Sequence, residues 1–550
     1  METVILQIRD ALARGQNVET SELAGLMRAA NKNLPVAAHL SKRMLLPYYL
    51  DVKEHDEARW RQWGITGELE QRLLAVLRMK PRRSASGVAT ITVLTKPWPC
   101  ANDCLYCPND PRMPKSYLSD EPACQRAERC DFDPYRQVTA RLNVLELMGH
   151  PTDKIELIVL GGTFSDYPPA YQEWFISELF RALNEAGEAE LEAQHTRNET
   201  ARHRVVGLVV ETRPDAITPE LLVHLRRLGC TKIQMGVQSL DVEVLALNRR
   251  PGGVEAIVRA FELLRVFGFK THVHVMRNLL GSTPERDSED YRQLITDERF
   301  LPDEVKLYPC VLLSGTGLVD HYEDGSWQPY SEDELIDVLA RDVANTPRYT
   351  RISRMIRDIS AHDILAGNKK ANLRQLVDER LAAQGVTVAE MRHREISTDQ
   401  VDLDRLSLKT TRYETSNTTE YFLEWVTAAD RIAGFLRLSL PDAAYLTRLG
   451  DDSTGARGEG APGMRTSPVA PGEAMIREVH IYGTAAQLGE ETGSAQHTGL
   501  GRRLIEEAEH IARTQGYRAL NVISAVGTRP YYRSLGFVDN GLYQQKLLEH

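Results

Sequence analysis

VATITVLTKPWPCANDCLYCPN, residues 88–109, joins a run of β-branched and apolar residues to a loop with three cysteines in eight positions. The run VATITVL (88–94) is apolar enough to be buried on both faces, and such strands belong to parallel sheets covered by helices. Five runs of similar texture follow: KIELIVL (154–160), VVGLVVE (205–211), TKIQMGV (231–237), KTHVHVM (270–276) and DEVKLYP (303–309). Amphipathic stretches such as YQEWFISELFRALNEA and AIVRAFELLRVFG separate them, and this alternation predicts βα units. Six units in about 220 residues fall short of a closed eight-unit barrel and predict an α/β fold with a partial (β/α)6 barrel.

Outward from this core the texture changes. Residues 1–80 read as a helical N-terminal segment, with SELAGLMRAA and TGELEQRLLAVLRM at helical period, ending in the basic RMKPRR. Residues 81–340 hold the βα units, and the charged stretch 185–203 reads as a surface loop or helix extension. Residues 341–395 read as a basic helical linker. From Pro347 to Arg374 seven Lys/Arg face two Asp/Glu, in a chain of net charge −10. Residues 396–550 read as a separate α+β domain. Its strands are TEYFLEWV, RIAGFLRLSL, AMIREVHIYG and ALNVISAV, and the helix GLGRRLIEEAEHIARTQG lies between the last two. The Gly/Pro/Ser-rich stretch 450–473 reads as a loop.

The acidic balance confines any nucleic-acid contact to a local patch. No apolar run approaches the roughly 18 residues of a membrane span, so no membrane association is expected. The N-terminus METVILQIRDALARG lacks the zones of a signal peptide. Seven cysteines in 550 residues are too sparse for a disulfide framework. A reducing, cytoplasmic setting is expected, with Cys230 and Cys310 as buried apolar thiols.

Cys100, Cys104 and Cys107 follow the first strand, at the end of a barrel where active sites collect. Three thiolates hold three irons of a cubane and leave the fourth iron open to a ligand. The rival is a structural zinc with a distant fourth ligand, Cys124 or Cys130. Tyr106, just before the last cysteine, suits stacking on an adenine. GGTF (161–164) after the second run lets backbone approach a ligand closely. ETRPD (211–215) offers Glu211 and Arg213 after the third, and GVQSL (236–240) offers Gln238 after the fourth. In the last domain QHTGLGRRL (496–504) opens a helix with glycines, a pyrophosphate cradle of backbone N–H groups and helix dipole. REVHIYG (477–483) lies upstream of it as a strand edge and GTRPYYRSLGF (527–537) lies downstream.

The cysteine spacing resembles that of the radical S-adenosylmethionine (SAM) enzymes, and the C-terminal order resembles the GCN5-related N-acetyltransferases (GNAT). The two together resemble the family of the Elongator catalytic subunit. The likeness runs from about residue 80 to the end, through KPRRSASGVATITVLTKPWPC, GHPTDKIELIVLGGTF, ETRPDAIT, VKLYPCVLLSGTGL, REVHIYG, QHTGLG and VISAVGTRPYYRSLGF.

This resemblance implies a tRNA wobble-uridine carboxymethyltransferase. A deoxyadenosyl radical activates the methyl group of acetyl-CoA, which adds to carbon 5 of uridine and gives 5-carboxymethyluridine. It implies a 4Fe–4S cluster on Cys100, Cys104 and Cys107. SAM would meet Tyr106, Gly161, Gly162, Thr163, Glu211, Arg213 and Gln238. Acetyl-CoA would meet Lys154, Glu478, Val479, His480, Ile481, Gln496, Gly499, Leu500, Gly501, Arg502 and Tyr532. Tyr531 or Tyr532 would serve as general acid and Lys306 would act beside the radical site. The anticodon loop of tRNA is the expected partner, with the N-terminal segment and residues 347–374 touching phosphate. The compact cysteine spacing looks bacterial. It argues against eukaryotic partner subunits and for action alone or as a homo-oligomer. Arg277 stands where a proline is expected. The other reading of the same residues is a protein lysine acetyltransferase with a structural cluster.

Overall fold

The computed structural model describes residues 1–80, 86–396, 402–454, 469–482 and 497–549. Five helices, Glu2–Ala13, Thr20–Asn31, Lys42–His55, Glu57–Gln62 and Gly67–Leu77, enclose an apolar core of their own. Ile5, Ile8, Leu45, Tyr49, Leu73 and Leu77 fill it. The last helix leads directly onto the barrel: Arg78 Nε donates to Gly149 O at 2.8 Å and Met79 N to Met148 O at 3.1 Å.

The six expected runs form strands β1 (Ala89–Leu94), β2 (Lys154–Leu160), β3 (Arg204–Thr212), β4 (Lys232–Gln238), β5 (Lys270–Arg277) and β6 (Glu304–Pro309). They pair in chain order, all parallel. Helices Pro134–Leu147, Pro169–Leu183, Pro219–Arg227 and Pro284–Thr296 cover the sheet and each opens on proline. The fixed φ and missing N–H of proline suit that first position. Helix Gly253–Val266 supplies the fully buried Phe261 and Leu264 to the same core.

Residues 341–395 are less helical than expected. The strand β8 (Arg351–Arg354) adds a seventh parallel strand beside β6, and β7 (Leu312–Leu313) pairs antiparallel with β9 (Ile364–Ala366). RISR has a single apolar residue, Ile352, so its pairing rests on tertiary placement at a sheet edge and left no periodic signal. Of the two readings of 185–203, surface loop or helix extension, the structure gives a helix over Leu191–Asn198.

The C-terminal domain is a seven-stranded sheet in the order β10-β11-β12-β13-β14-β16-β15. The strands are β10 (Ser407–Glu414), β11 (Thr418–Val426), β12 (Ile432–Pro441), β13 (Glu473–Ile481), β14 (Ala519–Val522), β15 (Val538–Asn540) and β16 (Tyr543–Leu547). Strand β14 pairs with β13 only from Glu473 to Ile476, and beyond that point β13 keeps β12 alone as partner. The splay opens a notch where helix His497–Thr514 begins.

The two sheets meet at the base of the barrel, where the parallel strands start. Arg477 of β13 places both Nη atoms on Asp303, at 2.7 and 2.8 Å, and donates to Glu420 at 2.8 Å. Lys270 at the start of β5 bridges Glu304 (2.7 Å) and Glu478 of β13 (2.5 Å). Arg277 is fully buried at the other end of β5. Its Nε donates to Asp342 at 2.8 Å, and the guanidinium also faces Asp290 and the Tyr291 ring. Where a proline would only set a turn, this arginine ties the strand end to two helices.

Candidate active site at the barrel mouth

A cavity of about 890 Å³ opens at the C-terminal ends of the parallel strands and reaches down the bore to Thr90, Thr92, His274 and Lys306. All three triplet cysteines line it, with Trp98, Tyr106, Gly161, Gly162, Thr163, Glu211, Arg213 and Gln238. The loop that carries the thiols is pinned at its centre: Leu105 N donates to Asn248 O (3.2 Å) and Leu318 N to Leu105 O (3.1 Å). Gly317 packs closely beneath it: a Cβ there would come within 2.8 Å of Leu105 Cδ2 and make that side chain shift. Burial pushes the Cys107 thiol up to about 11.

The remaining cysteines stand apart. Cys124 is fully buried among Leu94, Met113, Tyr117 and Ala127, and Cys230 and Cys310 are buried in apolar clusters. Burial pushes each of these three thiols up to about 12. Cys124, one of the distant zinc ligands weighed from sequence, packs in this apolar cluster, with the charges of Glu121 and Arg357 also acting on its thiol. Among the described residues no three His, Cys, Asp or Glu side chains are closed up around a single ion. A cubane spreads its thiolates wider than one ion does, and the three cysteines ring one cavity.

The loops after the strands deliver their groups as expected. Gly161 (φ +139°) and Gly162 (φ +82°) hold backbone conformations that disfavour side chains. A Cβ on Gly161 would also overlap Thr95 Oγ1, at 1.8 Å. Arg213 donates to Thr163 Oγ1 (3.0 Å) and Asp166 (2.8 Å) and pairs with Asp215 (3.0 Å). Glu211 accepts from the Tyr117 hydroxyl at 2.8 Å and faces His274 Nδ1 at 3.5 Å. Gln238 sits at φ +73°, beside an irregularity in the β4–β5 register, a strained position of the kind that gathers at ligand sites.

Lys306 Nζ donates to Gln234 Oε1 at 2.6 Å, and burial brings its ammonium down to about 7. Above that pH the folded chain lacks a proton that the unfolded chain keeps up to the ordinary lysine range. The contribution of Lys306 to stability therefore rises with pH from about 7 to about 10. Lys306→Met should flatten that part of the stability-against-pH curve, read as denaturation midpoints. An unchanged slope would place the titration elsewhere.

Sequence reasoning missed several lining groups. Arg250 Nη1 lies 4.0 Å from Cys104 Sγ while its other nitrogen donates to Gly236 O. Arg357 donates to Ser116 O (2.6 Å) and Glu121 (3.0 Å). Single arginines in irregular segments carry no periodic signal. The basic stretch is also more committed than its charge suggested. Arg374 is turned inward, donating to Ile352 O (2.8 Å) and Glu390 (3.0 Å), and Lys370 pairs with Glu332 (2.7 Å), whereas Lys369 lines the cavity mouth.

In the second domain Glu478, Val479, His480 and Ile481 lie on the stretch of β13 beyond the splay. Leu500, Gly501 and Arg502 form the first turns of the facing helix, with Leu500 O accepting from Trp425 Nε1 at 3.2 Å. The Tyr531 hydroxyl stands over that turn, so that a Cβ on Gly501 would meet it at 2.9 Å. Tyr532 is packed between Tyr531 and Phe537, and burial, then Tyr531 and Glu478, raise its phenol well above the ordinary value. Lys154 starts β2 in register with Arg204, against which the turn Val526–Thr528 packs, at the far end of the barrel from the cysteines. Gln496 lies outside the described residues.

A cysteine-bearing parallel half-barrel joined to a splayed-strand domain defines a radical SAM barrel fused to a GNAT domain. The radical SAM superfamily model matches residues 100–294, the radical SAM C-terminal domain 302–383 and the GNAT acetyltransferase domain 492–546. The chain is 40% identical over 467 residues to the tRNA uridine(34) acetyltransferase of Dehalococcoides mccartyi, covering 83% of this chain and 97% of that protein. It is 33% identical to Elongator complex protein 3 of Saccharomyces cerevisiae, covering 88% and 87%. The solved structure of Methanocaldococcus infernus Elp3 lacking residues 1–46 superposes with a TM-score of 0.71 at 34% identity, covering 84% of this chain and 99% of that one. The chain belongs to the family of Elongator complex protein 3 and the tRNA uridine(34) acetyltransferases.

The fold family implies a 4Fe–4S cluster and SAM in the barrel and acetyl-CoA in the second domain. The residues fit. Three thiols ring one cavity, and Tyr106 Oη and Asn102 Nδ2 are buried there without a hydrogen-bond partner. No helix among the described residues is long and apolar enough to cross a membrane.

Proposed function

We propose that this chain modifies uridine 34 of tRNA, placing a two-carbon unit from acetyl-CoA on carbon 5 to give 5-carboxymethyluridine. The observation that carries the reading is the pairing, in one chain, of a three-thiol cavity with cations at its mouth and a notched acyl-CoA fold docked at the base of the same barrel. The named activity of the D. mccartyi relative supports the choice of substrate. Polar side chains in the bore, among them Gln234, His272, His274 and Lys306, link the two ends.

With SAM on the cluster, the cofactor supplies a primary carbon radical able to break an unactivated C–H bond. Cys100, Cys104 and Cys107 hold the three irons that the protein must ligate. The open backbone at Gly161–Thr163 takes the amino-acid end of SAM, Gln238 and Glu211 its polar ribose side, and Tyr106 a face of the adenine; Arg213 braces Thr163. Lys306, brought by burial to about 7 and so divided between its two protonation states near neutral pH, moves a proton at the uridine ring. The N–H groups at Gly499–Arg502 cradle the pyrophosphate of CoA, and the edge Glu478–Ile481, which β14 leaves, pairs with its pantetheine arm. Lys154 steadies the acyl end of that chain. Water hydrolyses the thioester to the carboxylate, and Tyr531 gives a proton to the departing CoA thiolate, with Tyr532 packed behind it.

The test is anaerobic reaction of reconstituted enzyme with tRNA, SAM and acetyl-CoA, followed by mass spectrometry of the nucleosides. 5-Carboxymethyluridine is expected. An acetylated uridine that keeps its methyl group would replace this chemistry with simple acyl transfer. Tyr531→Phe should lower turnover by about 10²- to 10⁴-fold with acetyl-CoA affinity little changed.

A further inference from the structure

Four aromatic rings run in series from the cysteine loop to solvent. Trp98, two residues before Cys100, stacks on Tyr167 (centroids 5.3 Å, interplanar 29°) and Tyr167 on Tyr171 (5.1 Å, 21°). Tyr171 meets Trp174 at 5.5 Å. Trp98 and Tyr167 line the cavity, while Trp174 is 46% exposed, the one tryptophan of the six left so open. Tyr171 and Trp174 occupy the first turns of helix Pro169–Leu183, which starts at the barrel mouth because it follows β2. The same helix buries Phe175, Ile176 and Leu179 in the barrel core, and the Phe175 ring meets Tyr171 at 5.7 Å.

Two features separate this strip from an incidental surface tryptophan. The rings are anchored: Trp98 Nε1 donates to Asp166 O (3.0 Å), the Tyr167 hydroxyl to Lys96 O (2.7 Å) and Lys96 N to the Tyr171 hydroxyl (3.1 Å). The exposed Lys96 also holds its ammonium 5.4 Å from the Trp98 ring and 4.9 Å from the Tyr171 ring. Fixed π-faces beside a cation are the means by which proteins hold unpaired nucleotides, the ring taking the base and the ammonium the phosphate.

We propose that Lys96, Trp98, Tyr171 and Trp174 form a stacking strip for the unpaired anticodon-loop bases that flank the target uridine. The proposal rests on the tRNA reading above and adds where the neighbours of the target go: outward along helix Pro169–Leu183, while the target base enters the cavity. Continuity of the rings with the cavity lining fixes the direction, and Lys369 at the mouth supplies a further phosphate contact.

The test is binding of an anticodon stem-loop and of intact tRNA to the full chain at several salt concentrations, for wild type, Trp174→Ala, Trp174→Phe and Lys96→Gln. Trp174 is exposed, so its replacement spares the core. Trp174→Ala should weaken binding about fivefold to a hundredfold without changing the slope of log Kd against log salt, since no phosphate contact is lost. Trp174→Phe should recover most of the affinity, and Lys96→Gln should make the slope shallower by roughly one contact. Quenching of tryptophan fluorescence by the stem-loop should shrink in Trp174→Ala. Wild-type affinity in Trp174→Ala, or a loss that Trp174→Phe fails to restore, overturns the strip and leaves the tRNA reading standing. Failure of the wild-type chain to bind tRNA removes that reading and the strip with it.

Discussion

Cys104→Ala protein, reconstituted anaerobically with iron and sulfide, should lose the visible absorbance and reduced-state spin signal of a cubane and should cleave SAM only at background. Three thiolates already leave one iron without a protein ligand, so removing another leaves only two. Cys104 is buried in a loop pinned by backbone bonds at Leu105, so no neighbouring thiol can move in to replace it. Cys124, the nearest candidate in sequence, is held in an apolar cluster. The matching control is Cys124→Ala, which should keep its iron and its SAM cleavage. Full iron loading in Cys104→Ala would show that the triplet is not the ligand set. RNA affinity should change little, because the cations and rings at the mouth are untouched.

The second large effect is expected at Asp303. Its carboxylate is almost fully buried and accepts from Thr271 N (2.8 Å) and from both Nη atoms of Arg477, with Arg437 at 3.3 Å. Burial alone would raise its pKa, but Arg477 and Arg437 overcome that and hold it well below the usual carboxylate range. Asp303→Ala leaves two buried guanidinium groups without this partner and should cost about 3–5 kcal/mol. Because Asp303 immediately precedes β6 and Arg477 lies on β13, the loss should let the two domains unfold at separate denaturant concentrations. Urea titration followed by probes in each domain reads this directly. The folded-state pKa is depressed, so the stabilisation is present above the unfolded carboxylate value near 4 and disappears as pH falls through the lower folded value. A wild-type interface that loosens between pH 6 and 5 would contradict this assignment.

Much of the architecture was legible in the chain. The six barrel strands were readable because each is a short run rich in β-branched and apolar residues, set between amphipathic stretches. The three cysteines were readable because their donors lie within one loop. Strand β10 was missed: its residues alternate between exposed and half-buried, and an edge strand needs no apolar face. Strand β8 was missed because its pairing comes from β6 rather than from its own composition.

By itself the sequence determined the βα alternation, the triplet's place after the first strand and the glycine-rich helix start of the second domain, since all of these are local. Tertiary structure alone decided which charges are spent and which remain available. It turned Arg374 inward and buried Arg277, both against carboxylates, lowered Lys306 by burial, joined the domains through Asp303 and Arg477, and lined up Trp98 with Trp174. These outcomes depend on distances between residues far apart in the chain, and on loss of water around charges, which no local pattern records.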